Sequence, residues 1–159
     1  MRSGYDVAIV ARNAEKLQKT QDQYAAQGKK VIGFPFDLSD SAAIPGLINK
    51  VWETMGGIDA CLYNSSRSAP YTATTEEFVA TVNLNITSLH IAFGALLPLW
   101  RLRGTGGSFM MSGGGFAENG AYSVPYGMQL GAATKSYMKN FAQVSIFLKS
   151  IYILQLTFT

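Results

Sequence analysis

Residues 6–36 read DVAIVARNAEKLQKTQDQYAAQGKKVIGFPF, and this stretch decides the fold. Two short apolar runs, Asp6 to Ala11 and Lys30 to Phe36, enclose a segment rich in Ala, Glu, Lys, Leu and Gln. Apolar runs of strand length on either side of strong helix formers predict one βαβ unit. Asn13 is the predicted N-cap, with a side-chain oxygen that can accept from a first-turn amide, and Gly28 is the predicted stop.

Outward from this unit the same alternation continues. Further apolar runs stand at Asp59 to Tyr63, Ser108 to Met111 and Ile151 to Phe158. A second helix is predicted from Asp40 to Met55, with Ser39 or Asp40 as its cap, Pro45 in an early turn and Gly56-Gly57 at its end. Thr74-Thr75-Glu76-Glu77 reads as a capping box, opening a helix whose Phe78, Val82, Ile86, Leu89, Phe93 and Leu96 share one face. After Gly104 to Gly107 and the next strand, a loop from Gly113 to Gly127 leads into a helix from about Met128 to Lys149. No repeat or linker divides the chain, so residues 1–159 are read as one domain. The expected fold class is α/β, a doubly wound parallel sheet that binds its ligand at the carboxyl ends of the strands.

Composition narrows the function classes. With 48% hydrophobic residues, the 159-residue chain can bury one substantial core. Its 13 basic and 10 acidic side chains are scattered without a basic run, which argues against nucleic acid as a partner. Cys61, the only cysteine, lies in an apolar run and reads as a buried small hydrophobe in a reducing compartment. His90 is also single, falls in a helical apolar pattern and reads as structural, so no metal is expected. The N-terminus carries no signal-peptide core, and the last apolar stretch is interrupted by Lys149. A cytoplasmic protein without membrane contact is the expectation.

Five stretches, in order, resemble successive landmarks of the short-chain dehydrogenase/reductase family. They are Gly4-Tyr5-Asp6-Val7-Ala8-Ile9-Val10-Ala11-Arg12, Phe36-Asp37-Leu38-Ser39-Asp40, Asp59-Ala60-Cys61-Leu62-Tyr63-Asn64-Ser65-Ser66, Thr81-Val82-Asn83-Leu84 and Gly107-Ser108-Phe109-Met110-Met111-Ser112. The resemblance covers nearly the whole chain and implies a Rossmann-like NAD(P)-binding fold. In that family the first strand read here is the second. The resemblance therefore implies that the first strand and the Gly-rich turn T-G-x-x-x-G-x-G are missing from these residues, and that the chain is truncated at both ends. That turn normally brings backbone amides to the cofactor pyrophosphate.

The same resemblance assigns candidate site residues. Arg12 follows the first strand where the family meets the adenosine ribose, and a guanidinium there suits a 2′-phosphate, hence NADP(H). Asp37 would accept from the adenine amino group or, on the residues alone, help cap the following helix, and Leu38 would pack beside the ring. Asn64 matches the second asparagine of the N-N-A-G motif, with Tyr63, Ser65 and Ser66 in the other places. Asn83 corresponds to the asparagine supporting the proton relay, Ser112 to the serine that binds the substrate carbonyl, and Lys135 to the lysine that holds the nicotinamide ribose and lowers the tyrosine pKa.

One departure matters for catalysis. The family pattern Y-x-x-x-K places its tyrosine four residues before the lysine, where this chain has Gly131. Tyr126, nine residues before Lys135, would lie on the opposite side of an unbroken helix. Flanked by Pro125 and Gly127, it can instead sit in the loop ahead of that helix, with Tyr122 a second candidate. Two functions follow. One is an NADP(H)-dependent oxidoreductase acting on a small carbonyl or alcohol substrate, using Ser112, Tyr126, Lys135 and Asn83. The other is a non-catalytic remnant or regulatory module of the same fold. A third, a generic nucleotide-binding module using Arg12 and Asp37, lacks a phosphate cradle. Family resemblance also implies a homo-oligomer through the helices running from about Thr75 to Trp100 and from Met128 to Lys149.

Overall fold

The computed structural model describes residues 4–70, 72–112, 129–145 and 151–156. Five strands alternate with helices: β1 (Val7–Ala11), α1 (Ala14–Ala25), β2 (Val31–Pro35), α2 (Ile44–Met55), β3 (Ala60–Tyr63), α3 (Thr75–Val82), α4 (Ser88–Arg103), β4 (Gly107–Ser112), α5 (Gln129–Ser145) and β5 (Ile151–Leu156). Local chemistry sets most boundaries as expected. Asn13 accepts from the Lys16 amide at 2.8 Å, and Gly28 turns the chain out of α1 with φ of 68°. Asp40, rather than Ser39, caps the entry to the second helix; its carboxylate accepts from the Ala43 amide across a 3₁₀ turn, Ser41–Ala43. Both halves of the capping box form, Glu77 N–H donating to Thr74 Oγ1 and Thr74 N–H to Glu77 Oε2.

All pairings are parallel. β1 pairs with β2 and β3 with β4, while β4 also pairs with β5. The layered α/β architecture is thus as expected, with one difference from a single sheet. The strands form two ladders, β1-β2 and β3-β4-β5, without a ladder between β1 and β3 among the described residues. Helix α2 spans the two. Its Ile44 and Ile48 join the larger core with Tyr63, Leu89, Phe93, Leu96, Trp100, Phe109, Met111 and Met138. Its Leu47 and Val51 pack with Phe34, and Ala8, Val10 and Ile32 lie against that cluster.

Strand periodicity puts helices on both faces of β2. Phe34 points to α2, whereas its neighbour Gly33 faces α1, where an added Cβ would come within 2.8 Å of Leu17 Cβ. Gly33→Ala is therefore expected to push α1 off the ladder and lower stability by about 2 kcal/mol, a change readable in chemical denaturation.

One helix departs from the expected pattern. The predicted continuous helix after Thr74 is broken by a single π turn, Asn83–Thr87, in which the Ser88 amide donates to the Asn83 carbonyl. The run Thr75–Arg103 is long and apolar enough to cross a bilayer by length and composition. Its α4 part packs into the core, with Leu89, Leu96 and Trp100 fully buried, whereas Val79, Leu102 and Phe78, the last expected on the apolar face, are exposed.

Candidate functional site

The carboxyl ends of β1 and β2 carry Arg12 and Asp37, those of β3 and β4 carry Asn64 and Ser112, and hydrogen bonds from residues 83–88 to the loops after β2 and β3 bring the two pairs of ends together. This is the edge where open α/β sheets bind ligands. Arg12 and Asn64 are exposed there, and Leu38 is half-buried against the core. The Asp37 carboxylate accepts from both the amide and the hydroxyl of Ser39, at 2.9 and 2.7 Å. Those two hydrogen bonds hold its pKa below the usual carboxylate range, and the nearby Arg12 charge adds to the effect. The local turn thus keeps Asp37 ionised and its second oxygen free to accept.

At the other end of this edge stands Lys135. Helix α5 carries it to the end of β4, where its ammonium donates to the Ser112 carbonyl at 2.7 Å. Lys135 is half-buried, and desolvation lowers its pKa. No carboxylate is paired with it among the described residues. Gly131 stands one turn earlier on α5 and faces the loop after β3: a Cβ there would lie 3.5 Å from Ser68 Oγ. Tyr126 and Tyr122 lie outside the described residues.

The two asparagines of the π turn separate in role. Asn83, the expected one, donates from Nδ2 to the Ser39 carbonyl at 2.7 Å and so holds the loop after β2. Asn85, which sequence reasoning passed over, is fully buried. Its Oδ1 accepts from the Arg67 amide, and its Nδ2 donates to the Arg67 carbonyl and to Thr134 Oγ1, the neighbour of Lys135. A signal for it exists in the sequence. Asn85 is four residues before the buried Leu89, so it falls on the apolar face of that helix, where a polar side chain needs a partner.

The other singled-out residues have structural surroundings. Cys61 is half-buried, and desolvation pushes its thiol up to about 12, which keeps it protonated. His90 Nδ1 lies 3.2 Å from the Tyr137 hydroxyl and packs edge-on to Phe141, joining α4 to α5. No group of three metal-ligating side chains occurs among the described residues.

The sequence pattern of the short chain dehydrogenases matches residues 1–145. The chain belongs to the short-chain dehydrogenase/reductase family. Over 89 residues it is 33% identical to 2,3-dihydro-2,3-dihydroxybenzoate dehydrogenase of Bacillus subtilis, a match covering 54% of this chain and 34% of that enzyme. Among solved structures, an alcohol dehydrogenase of Thermococcus sibiricus complexed with 5-hydroxy-NADP superposes with a TM-score of 0.84 at 23% identity, covering 98% of this chain and 66% of that one. The NADH-dependent reductase A1-R′ complexed with NAD does so at 18% identity with the same TM-score of 0.84, covering 98% of this chain and 68% of its own. The chain thus spans about two thirds of these neighbours and a smaller part of its curated relative. The family supports an oxidoreductase with an NAD(P)-binding Rossmann-like fold, and its solved neighbours include complexes with NAD as well as with an NADP derivative.

Proposed function

We propose that this chain forms the cofactor-binding part of an NADP(H)-dependent oxidoreductase that interconverts a small carbonyl compound and its alcohol. The observation that carries the reading is Lys135, a half-buried cation held against the end of β4 without a carboxylate partner among the described residues. A desolvated ammonium at a ligand-binding strand edge calls for hydroxyl or anionic oxygens from a ligand. The chemistry of the remaining donors fits a dinucleotide. Arg12 would receive a 2′-phosphate, Asp37 the adenine amino group, Leu38 the adenine face, Asn64 the cofactor between its two ends, and Lys135 the nicotinamide ribose.

Bound NADPH supplies the hydride. In this reading Ser112 donates a hydrogen bond to the substrate carbonyl oxygen, and Tyr126 delivers the proton to it. Lys135 favours the ionised form of that tyrosine through its charge, so the proton leaves more readily. In this reading Asn83 holds the loop after β2, and the support of the relay falls to Asn85, the asparagine that reaches α5. We place the protein in the cytoplasm, with a small-molecule substrate and a second copy of itself docked on the α4 and α5 faces.

Gly131 favours a second reading. The position one turn before Lys135 carries no side chain, and it faces the loop after β3 rather than offering a proton donor. A non-catalytic module of the same fold would keep this arrangement. Thermal unfolding with excess NADPH or NADH separates the two readings, since a ligand that binds only the folded state must raise Tm. NADPH at about a hundredfold over its Kd is expected to add roughly 2.7 kcal/mol, or about 5–10 °C for a domain of this size. Arg12→Ala is expected to remove most of the NADPH preference over NADH. A cooperative melt indifferent to both nucleotides leaves the non-catalytic module.

A further inference from the structure

A single turn of helix reaches both ends of the proposed cofactor site. From the π turn and the residue after it, three side chains cross to loops at the carboxyl ends of the strands. Asn83 donates to Ser39 O at 2.7 Å and Ser88 to Leu38 O at 2.6 Å, both in the loop after β2 that carries Asp37 and Leu38. Asn85 closes a two-bond pair with the Arg67 backbone, in the loop after β3 that follows Asn64, and continues to Thr134 beside Lys135. In the opposite direction, the hydroxyl of Tyr63, the last residue of β3, donates to the Leu84 carbonyl inside the turn at 2.6 Å.

The conformation explains why one turn can do this. A π turn holds an extra residue, so its backbone bonds run from i to i+5 and a carbonyl can be left for an outside donor. The extra residue also shifts the helical phase. Asn83 and Asn85, two residues apart and so on opposite sides of the helix, point to different loops. Ser88 and Asn85 are fully buried, where a hydrogen bond is costly to leave unmade.

We infer that Asn83, Ser88, Asn85 and Tyr63, gathered on this π turn, are positioning residues that fix the adenosine-binding loop and the nicotinamide-side loop relative to each other. The inference rests on the dinucleotide reading above. Asn83 acts on the adenosine side and Asn85 on the nicotinamide side, while Ser88 and Tyr63, whose hydroxyls also interact with each other, lean to the adenosine and nicotinamide sides respectively. Loss of one contact then weakens one half of the cofactor selectively, which a general loss of stability would not do.

The test combines backbone hydrogen exchange of the full chain with binding of two half-cofactors, adenosine 2′,5′-bisphosphate and nicotinamide mononucleotide. Asn83→Ala, at a half-buried position, is expected to speed exchange in residues 36–40 and to weaken the adenosine fragment about fivefold to tenfold, the loss of one hydrogen bond. Binding of the nicotinamide fragment and exchange in residues 64–69 should stay as in the wild type. Tyr63→Phe, which deletes a single oxygen, is expected to affect residues 64–69 and the nicotinamide fragment more than residues 36–40 and the adenosine fragment, and Ser88→Ala to show the opposite order. Equal weakening of both fragments, or exchange raised evenly over the whole chain, would overturn the inference. If the wild type binds neither fragment, the cofactor reading falls. Exchange confined to the predicted loops would then still establish the positioning role, and unchanged exchange would remove it.

Discussion

Gly107→Ala should lower stability by about 3 kcal/mol, seen as a drop in Tm of roughly 10 °C with the apo protein. Gly107 opens β4 and faces Trp100, and a Cβ at that position would overlap the indole ring. The ring cannot step aside. Trp100 is fully buried in the main core, and its Nε1 donates to the Ile58 carbonyl at 2.6 Å. Moving it would break that bond and open a void against Phe109 and Leu96, while moving Gly107 would break the register with β5. A smaller ring should relieve the overlap. Trp100→Phe is destabilising alone, through the lost hydrogen bond and volume, yet combined with Gly107→Ala the damage should be well below the sum. Additive losses in chemical denaturation would show that the glycine is required for some other reason.

Lys135→Met should abolish function while keeping the fold. Turnover is expected to fall at least a hundredfold, the scale of losing a group that tunes a proton donor, and the NADPH-induced rise in Tm should shrink to within a degree or two. Methionine preserves the length of the side chain next to Met138 but removes the donor to Ser112 O and the charge. The pH dependence supplies a second readout. Desolvation lowers the Lys135 pKa, so the ammonium begins to lose its proton below the pH at which an exposed lysine would. NADPH affinity should therefore decline on the alkaline side earlier than for an exposed lysine, and in Lys135→Met that alkaline decline should be absent. A variant that binds NADPH as the wild type does would remove Lys135 from the cofactor site.

Asp37 sets the acid side. Its hydrogen bonds from Ser39 depress its pKa in the folded chain, so their stabilising contribution is present above the ordinary aspartate pKa and fades as pH falls through the folded value. The residue is exposed, so the effect belongs to the ordering of the adenosine loop more than to global stability. Asp37→Asn should weaken an adenine-bearing ligand across the neutral range and flatten the dependence of its affinity on acid pH.

What the sequence determined by itself was local. The cap at Asn13, the reciprocal box of Thr74 and Glu77, the stop at Gly28 and the five apolar runs are each decided by neighbours a few residues away. Hydrophobic period and turn chemistry report such neighbours directly. The strand ends bearing Arg12, Asp37, Asn64 and Ser112 were legible for the same reason, since parallel strands place their carboxyl ends on one edge. The π turn was not legible, because its extra residue is selected by distant partners. Ser39, Leu38, Tyr63 and Arg67 lie 44, 50, 21 and 18 residues from the side chains or carbonyls they meet. A continuous helical pattern puts Asn83 and Asn85 on opposite sides but does not say which loops they meet. Tertiary structure alone decided that Asn85 reaches the helix of Lys135, that Trp100 occupies the space beside Gly107, and that the strands divide into two ladders bridged by α2. Each of these depends on which surfaces meet across the fold, and close packing, unlike capping or periodicity, is a property of pairs of surfaces that no single segment encodes.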